Sequence, residues 1–178
     1  MCHSAWPPFT LTKNKIDTMK MPLRHLLQIT VSILLVVTLS ACGTTRKVLN
    51  LETTAEFKLV ASKDVNPTTA GRAAPLVVQV ITLRDARQFK QEDFLNLFED
   101  PQGRLGNDLI EITRLKELAP GESRVETFNL TPEVKFIGIL GEYIQYEDAQ
   151  AKAVIAIEPH ATNKASISLE KLKVNIED

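Results

Sequence analysis

Leu76-Val-Val-Gln-Val-Ile-Thr-Leu83 is almost unbroken β-branched and apolar sequence. A run of this kind, bounded by Pro75 and Arg84, reads as a strand covered on both faces. Its neighbours settle the class. Downstream, residues 85–99 change period: Phe89, Phe94, Leu97 and Phe98 fall at helical spacing, with Gln91, Glu92 and Asp93 in a first turn that favours acids. This predicts one short amphipathic helix, ended near Asp100-Pro101 and followed by Gly103 and Gly106. Upstream, Phe57, Leu59 and Ala61 alternate with polar neighbours over residues 56–62, a strand exposed on one face.

From residue 109 onward the chain reads as β to its end. Residues 109–116 alternate and run into Ala119-Pro120-Gly121-Glu122, where Pro-Gly suits the centre of a type II turn. Residues 124–130, 134–145, 152–158, 164–169 and 172–176 give further strands separated by turn signals. The pattern predicts a mainly β fold, an antiparallel sandwich of about seven or eight strands with one short inserted helix.

The amino-terminal part has a different grammar. Lys20 and Arg24 precede the 16-residue run LLQITVSILLVVTLSA (26–41), which contains Gln28. That is short of the roughly 20 apolar residues that span a bilayer and fits an export signal. A simple secretory cut after Ala41 would place the bulky Leu39 three positions before the cut. Leu39-Ser40-Ala41-Cys42 instead resembles the bacterial lipobox, which implies cleavage before Cys42 and acylation of that residue. Residues 1–18 fit no signal grammar and lie ahead of better starts at Met19 or Met21. The expected organisation is therefore a lipoprotein signal over 19–41, a lipid tether over 42–54 and a β-sandwich domain over 55–178. Three acyl chains exceed what stable anchoring needs. Gly43, rather than Asp, follows the modified cysteine, and by the sorting rule of many proteobacteria this implies the outer membrane, with the domain facing the periplasm.

From Cys42 onward 137 residues remain, enough for one domain with a real core. They carry 17 Lys and Arg against 21 Asp and Glu, scattered without runs, so nothing points to nucleic acid. Acylated Cys42 leaves no thiol for a disulfide. Catalytic material is sparse: the sole histidine of this segment, His160, sits in Pro159-His160-Ala161-Thr162-Asn163, which reads as a solvated turn. Nucleophilic triads need a histidine beside the nucleophile and zinc needs several His or Cys ligands, so no enzyme, metal site or cofactor is expected. The adjacent acids Glu92-Asp93 and Glu147-Asp148 read as surface pairs. Gly138 and Gly141 lie inside an apolar strand, where close backbone approach or a bulge explains them better than a phosphate loop.

Residues 63–75 remain. Asn66-Pro67, Gly71 and Pro75 make this segment an irregular loop of unusual length for a compact domain. Loops held by a rigid sandwich often carry recognition. On length alone, a recognition loop and a plain connector both stand open.

Taken in order, these pieces resemble the TssJ family of type VI secretion lipoproteins. The resemblance rests on the lipobox, Asn66-Pro67 and Gly71-Arg72 ahead of Pro75-Leu-Val-Val-Gln-Val-Ile-Thr-Leu83, and the Phe-bearing segment 89–99. It continues through Leu105-Gly-Asn-Asp-Leu109, Leu118-Ala-Pro-Gly-Glu122 and Phe136-Ile-Gly-Ile139, which leads to Tyr143. The chain departs from the pattern after Tyr143, where Ile144-Gln145 replaces an expected basic residue and no later Trp follows. The resemblance implies a transthyretin-like sandwich with an architectural role. It implies binding to the periplasmic C-terminal region of TssM, an inner-membrane protein, with TssL as an indirect partner. It places the contact on Asp64, Val65, Asn66, Pro67, Thr68, Thr69, Ala70, Gly71, Arg72, Ala73 and Ala74, with Asn66 and Arg72 foremost. The competing class is a ligand-binding periplasmic lipoprotein on an immunoglobulin- or transthyretin-like sandwich; a carboxylate-based hydrolase is a weaker third.

Overall fold

The computed structural model describes residues 28 and 52–177. Apart from residue 28, the expected signal segment, the lipid site expected at Cys42 and all but the end of the expected tether lie outside them. The chain divides into two compact units, Met1–Thr44 and Thr45–Asp178, and the residues from 52 onward form the second.

That unit is a sandwich of two four-stranded sheets. The strands are β1 (Thr53–Ala61), β2 (Val78–Leu83), β3 (Leu109–Arg114), β4 (Ser123–Leu130), β5 (Phe136–Gly141), β6 (Lys152–Ala156), β7 (Thr162–Glu170) and β8 (Lys173–Glu177). One sheet has the order β4-β1-β7-β8 and the other β3-β2-β5-β6. The eight strands match the expected number, and β1 starts at Thr53, earlier than the alternation suggested. The sandwich is not wholly antiparallel. β1 pairs antiparallel with β4, from Thr53↔Leu130 to Val60↔Ser123, but parallel with β7, from Thr54↔Thr162 to Ala61↔Leu169. Parallel neighbours need a long crossover, and here the whole of the second sheet supplies it.

β2 is buried at all six positions, and its two faces do different work. Val78 and Val80 join Phe57, Leu59, Ile137, Ile139 and Ile167 in the core between the sheets. Ile81 and Leu83 point the other way and pack with Leu140, Ala86, Phe89, Leu97 and Leu105 beneath a helical layer. This double burial is why the strand shows no polar alternation. Gly138 lies on the helical side of β5 because Phe89 occupies the space above it: a Cβ there would stand 2.7 Å from Cζ of the ring. Close approach, rather than a bulge, accounts for this glycine. Gly121 takes φ 80° in the turn that joins β3 to β4, as the Pro-Gly reading expected.

The single helix expected over 85–99 is in fact two short ones, and a third follows. These are α1 (Arg87–Gln91), α2 (Phe94–Glu99) and α3 (Pro101–Leu105), with a 3-10 turn at Gly106–Asp108. Glu92 and Asp93 are extended, with ψ 148° and 158°, and break the run. The break has a distant cause. Lys152 Nζ on β6 donates to the carbonyls of Phe89 (3.2 Å), Lys90 (3.3 Å) and Glu92, closing the end of α1 where main-chain acceptors lack partners. Burial pushes the Lys152 pKa down, against the pull of Asp93 and Glu92. α3 starts where Pro101 and the Asp100 carboxylate, which accepts from Gly103 N at 2.9 Å, open a new helix.

Candidate functional site

β1 links two ends of the sandwich. It begins at Thr53, whose Oγ1 accepts from His160 N at 2.9 Å, and Thr54 N donates to Ala161 O at 3.0 Å. His160 thus lies in the turn foreseen for it, with φ 59°. Eight residues later β1 ends at Ala61, about 26 Å away at the usual rise per strand residue, and there the loop of residues 62–77 begins.

The base of that loop is core. Val65 is fully buried beside Leu76 and Leu118, and Ala74 N donates to Val65 O at 3.2 Å. Asn66 is 2% exposed and sits at φ 48°, the left-handed region that asparagine tolerates. Its main-chain N–H donates to Lys171 O at 3.0 Å. Its Nδ2 donates to Pro75 O and its Oδ1 accepts from Ile144 N, both at 2.7 Å. Pro67 is buried too, and its carbonyl accepts from Gln145 Nε2 at 2.9 Å. Asn66 thereby ties the two arms of the loop to each other and to the segment after β5. The side chain spends its polar atoms on this, so Asn66 shapes the loop from within.

The outer part is different. Thr68 N donates to Arg72 O and Gly71 N to Thr68 O, both at 2.8 Å, so residues 68–72 close into a tight turn. Thr69, Ala70, Gly71, Arg72 and Ala73 are exposed, as is Asp64, which accepts a bond from Ser62 Oγ at 2.7 Å. Thr68 and Ala74 are half-buried. The eleven residues singled out from the sequence therefore split into a buried base, Val65 to Pro67, and a projecting tip around Arg72. A tip held on a fixed base loses little freedom on meeting a partner, which is what a recognition loop requires.

The segment after β5 adds residues that sequence reading passed over. The apolar run 134–145 reads as one strand, yet β5 ends at Gly141. Tyr143 turns inward to donate to Glu170 O at 3.1 Å, while Ile144, held against Asn66, is left 50% exposed. Burial raises the Tyr143 pKa. Next to it Glu142 accepts from Arg114 at 2.8 and 2.5 Å and from Gln79 Nε2 at 2.9 Å. The Arg114 bonds hold the Glu142 carboxyl below the ordinary glutamate range, against its partial burial. The outward Ile144 beside two inward-facing polar neighbours is the available sequence signal, visible only once the strand end is known.

The described residues thus form a β-sandwich that carries a braced loop, with His160 set in a turn. The model of the type VI secretion lipoprotein family (VasD, EvfM, TssJ) matches residues 53–172. The chain belongs to this family of lipoprotein components of the type VI secretion membrane complex. No curated protein sequence matches it. Among solved structures it is similar to the type VI secretion lipoprotein TssJ1 from Pseudomonas aeruginosa, at 28% identity, TM-score 0.67, and coverage of 71% of this chain and 95% of that one. It is also similar to Lip, a membrane-bound component of the type VI secretion system of Serratia marcescens, at 19% identity, TM-score 0.65, and coverage of 71% and 98%. A chain in the structure of the TssM C-terminal domain (869-1107) from EAEC shares the fold at 22% identity, TM-score 0.59, and coverage of 71% and 98%. The match covers nearly the whole of that TssJ1 chain, 95% of it, and in this chain Thr45–Asp178 is a compact unit.

Proposed function

We propose that this chain anchors a type VI secretion membrane complex to the outer membrane. Acylated Cys42 holds the domain at the periplasmic face, and the tip of loop 62–77 binds the periplasmic C-terminal region of a TssM-like inner-membrane protein. TssL is reached through that partner. The observation that carries the reading is the loop's division into a buried base and an exposed, Arg72-bearing tip, within a domain that the family model spans. No catalytic role is proposed: the domain's contribution is position.

The test is a calorimetric titration of residues 45–178 with the TssM-like C-terminal region from the same secretion system. It is repeated with residues 69–73 replaced by Gly and Ser. That replacement spares Val65, Asn66 and Pro67, so the fold is kept. Micromolar or tighter binding, on the order of −8 kcal/mol, that disappears in the loop variant is the expected result. Binding that survives the replacement moves the contact to another face. No binding by the folded parent domain sinks the anchoring role.

A further inference from the structure

The described residues leave four large apolar side chains exposed: Leu95 (41%), Phe98 (44%), Val125 (56%) and Ile144 (50%). Two of them stand on α2, and Ile144 lies two positions before Tyr146. Tyr146 stacks on Phe94 at 5.3 Å between ring centroids, and Phe94 stacks on Phe98 at 5.7 Å. The three rings form a continuous row from the loop after β5 onto the outer face of α2. A cleft of about 750 Å³ opens beside them, with Phe94, Leu95 and Tyr146 in its wall and Ala149 and Ala151 among its other lining residues.

Phe94 packs on both halves of the core, but folding does not explain the exposed Leu95 and Phe98 beside it. The helical layer is already sealed over β2 and β5 by Phe89 and Leu97, both fully buried. Truncating Phe98 or Leu95 would leave that seal intact, so their apolar surface is surplus to the core. Exposed aromatic clusters of this kind mark interaction surfaces.

The charges around the row select the occupant. Glu92, Asp93 and Glu147 line the cleft, and the exposed Glu99 and Asp148 follow Phe98 and Glu147 directly in the chain. Of the two lysines that line the cleft, Lys152 turns its ammonium inward onto the α1 carbonyls, which leaves Lys90 as the exposed cation. Apolar Phe94, Leu95 and Tyr146 interleaved with acidic Glu92, Asp93 and Glu147 are complementary to a segment that carries lysine or arginine around apolar side chains. We infer that the Phe94–Phe98–Tyr146 row and its cleft dock a basic, apolar-faced segment of a partner protein. This surface shares no residue with loop 62–77, though Gln145 beside Tyr146 donates to Pro67 O and Thr68 O of that loop, and the inference does not depend on the anchoring role.

The test uses ¹⁵N-labelled residues 45–178 and two synthetic probes, Ac-KLFKKLFKKLFK-NH2 and its glutamate counterpart Ac-ELFEELFEELFE-NH2. The basic probe is expected to shift the amide signals of Leu95, Phe98, Tyr146 and Glu147. Phe98→Ala should weaken its binding by about tenfold, as expected for loss of an exposed aromatic anchor. The double variant Glu99→Lys/Glu147→Lys should weaken it as much, and raising the salt should do so progressively. Urea unfolding of each variant checks that the domain is intact; should Phe98→Ala unfold, the charge-reversal pair and the salt series still decide. Equal binding of both probes, shifts mapping elsewhere, or no binding would overturn the inference. So would shifts of these residues with protein concentration alone, which would give the row to a second copy of the chain.

Discussion

Replacing Asn66 by alanine tests the brace from which the candidate loop projects. The substitution removes the 2.7 Å bonds to Pro75 O and from Ile144 N. Both main-chain partners are partly shielded from water, so each loss costs about 1 kcal/mol, the low end for a shielded group left unpaired. Alanine must also hold φ 48°, which costs about 1 kcal/mol more because its Cβ crowds the carbonyl oxygen in the left-handed region. The sum is about 3 kcal/mol, which lowers the thermal midpoint of a domain of this size by roughly 10 °C. Asn66→Gly separates the two causes. It relieves the strain while losing the same bonds, so it should be less destabilised than Asn66→Ala even after the entropy glycine adds to the unfolded chain. The assay is urea unfolding of residues 45–178 followed by far-ultraviolet circular dichroism, since Trp6, the only tryptophan, lies outside this segment. An alanine variant within about 0.5 kcal/mol of the parent, the range of an ordinary surface change, would refute the reasoning.

Gly138→Ala pushes a methyl group into the Phe89 ring and should destabilise the domain by about 2 kcal/mol; Phe89→Leu in the same background should recover part of that in urea melts. Glu142 titrates below its ordinary range when folded, so its contribution is complete above the unfolded carboxyl's pKa and is lost as pH falls through the lower folded value. Glu142→Gln should therefore cost about 1 kcal/mol at neutral pH, a modest figure because Arg114 is largely solvated, and the difference from the parent should shrink as unfolding is followed towards pH 3. Arg72→Glu should leave stability within about 0.5 kcal/mol yet weaken binding of the TssM-like region by about tenfold in the calorimeter, as reversal of a contact charge does. Cys42→Ser in the full chain should abolish labelling by radioactive palmitate and move the protein from the membrane fraction to the soluble one.

The elements that the sequence made legible are those whose cause is local. The unbroken run at 76–83 gave β2 because both of its faces are covered, and the alternation at 109–116 and 124–130 gave β3 and β4. The parallel partnership of β1 with β7 was hidden, since Thr54 and Thr162 meet only after the whole second sheet has been threaded between them. The division of the helical segment was hidden for the same reason. The helical spacing of Phe89, Phe94, Leu97 and Phe98 is real, but the ammonium that closes α1 arrives from Lys152, 60 positions beyond Glu92. Within the candidate loop, composition marked the segment correctly as irregular but could not sort base from tip. Val65 and Asn66 look like their neighbours in a string, and only the arrival of Ile144 and Lys171 shows which way they face. Phe98 misled in the opposite direction: a large aromatic at core spacing turned out to stand in solvent.

β1 occupies an inner position in its sheet, hydrogen-bonded along its length to β4 on one side and β7 on the other. The chain reaches it from the tether at Thr53 and leaves it at Ala61 for the candidate loop. If, as proposed, a lipid holds one end and a partner grips the other, tension passes lengthwise through this strand. Its ladders are then loaded in shear, where many bonds must give way together, whereas a strand pulled sideways from a sheet edge opens one bond at a time. Under the proposed anchoring role, the topology that hid β7 from the sequence would make β1 a tensile member of the domain.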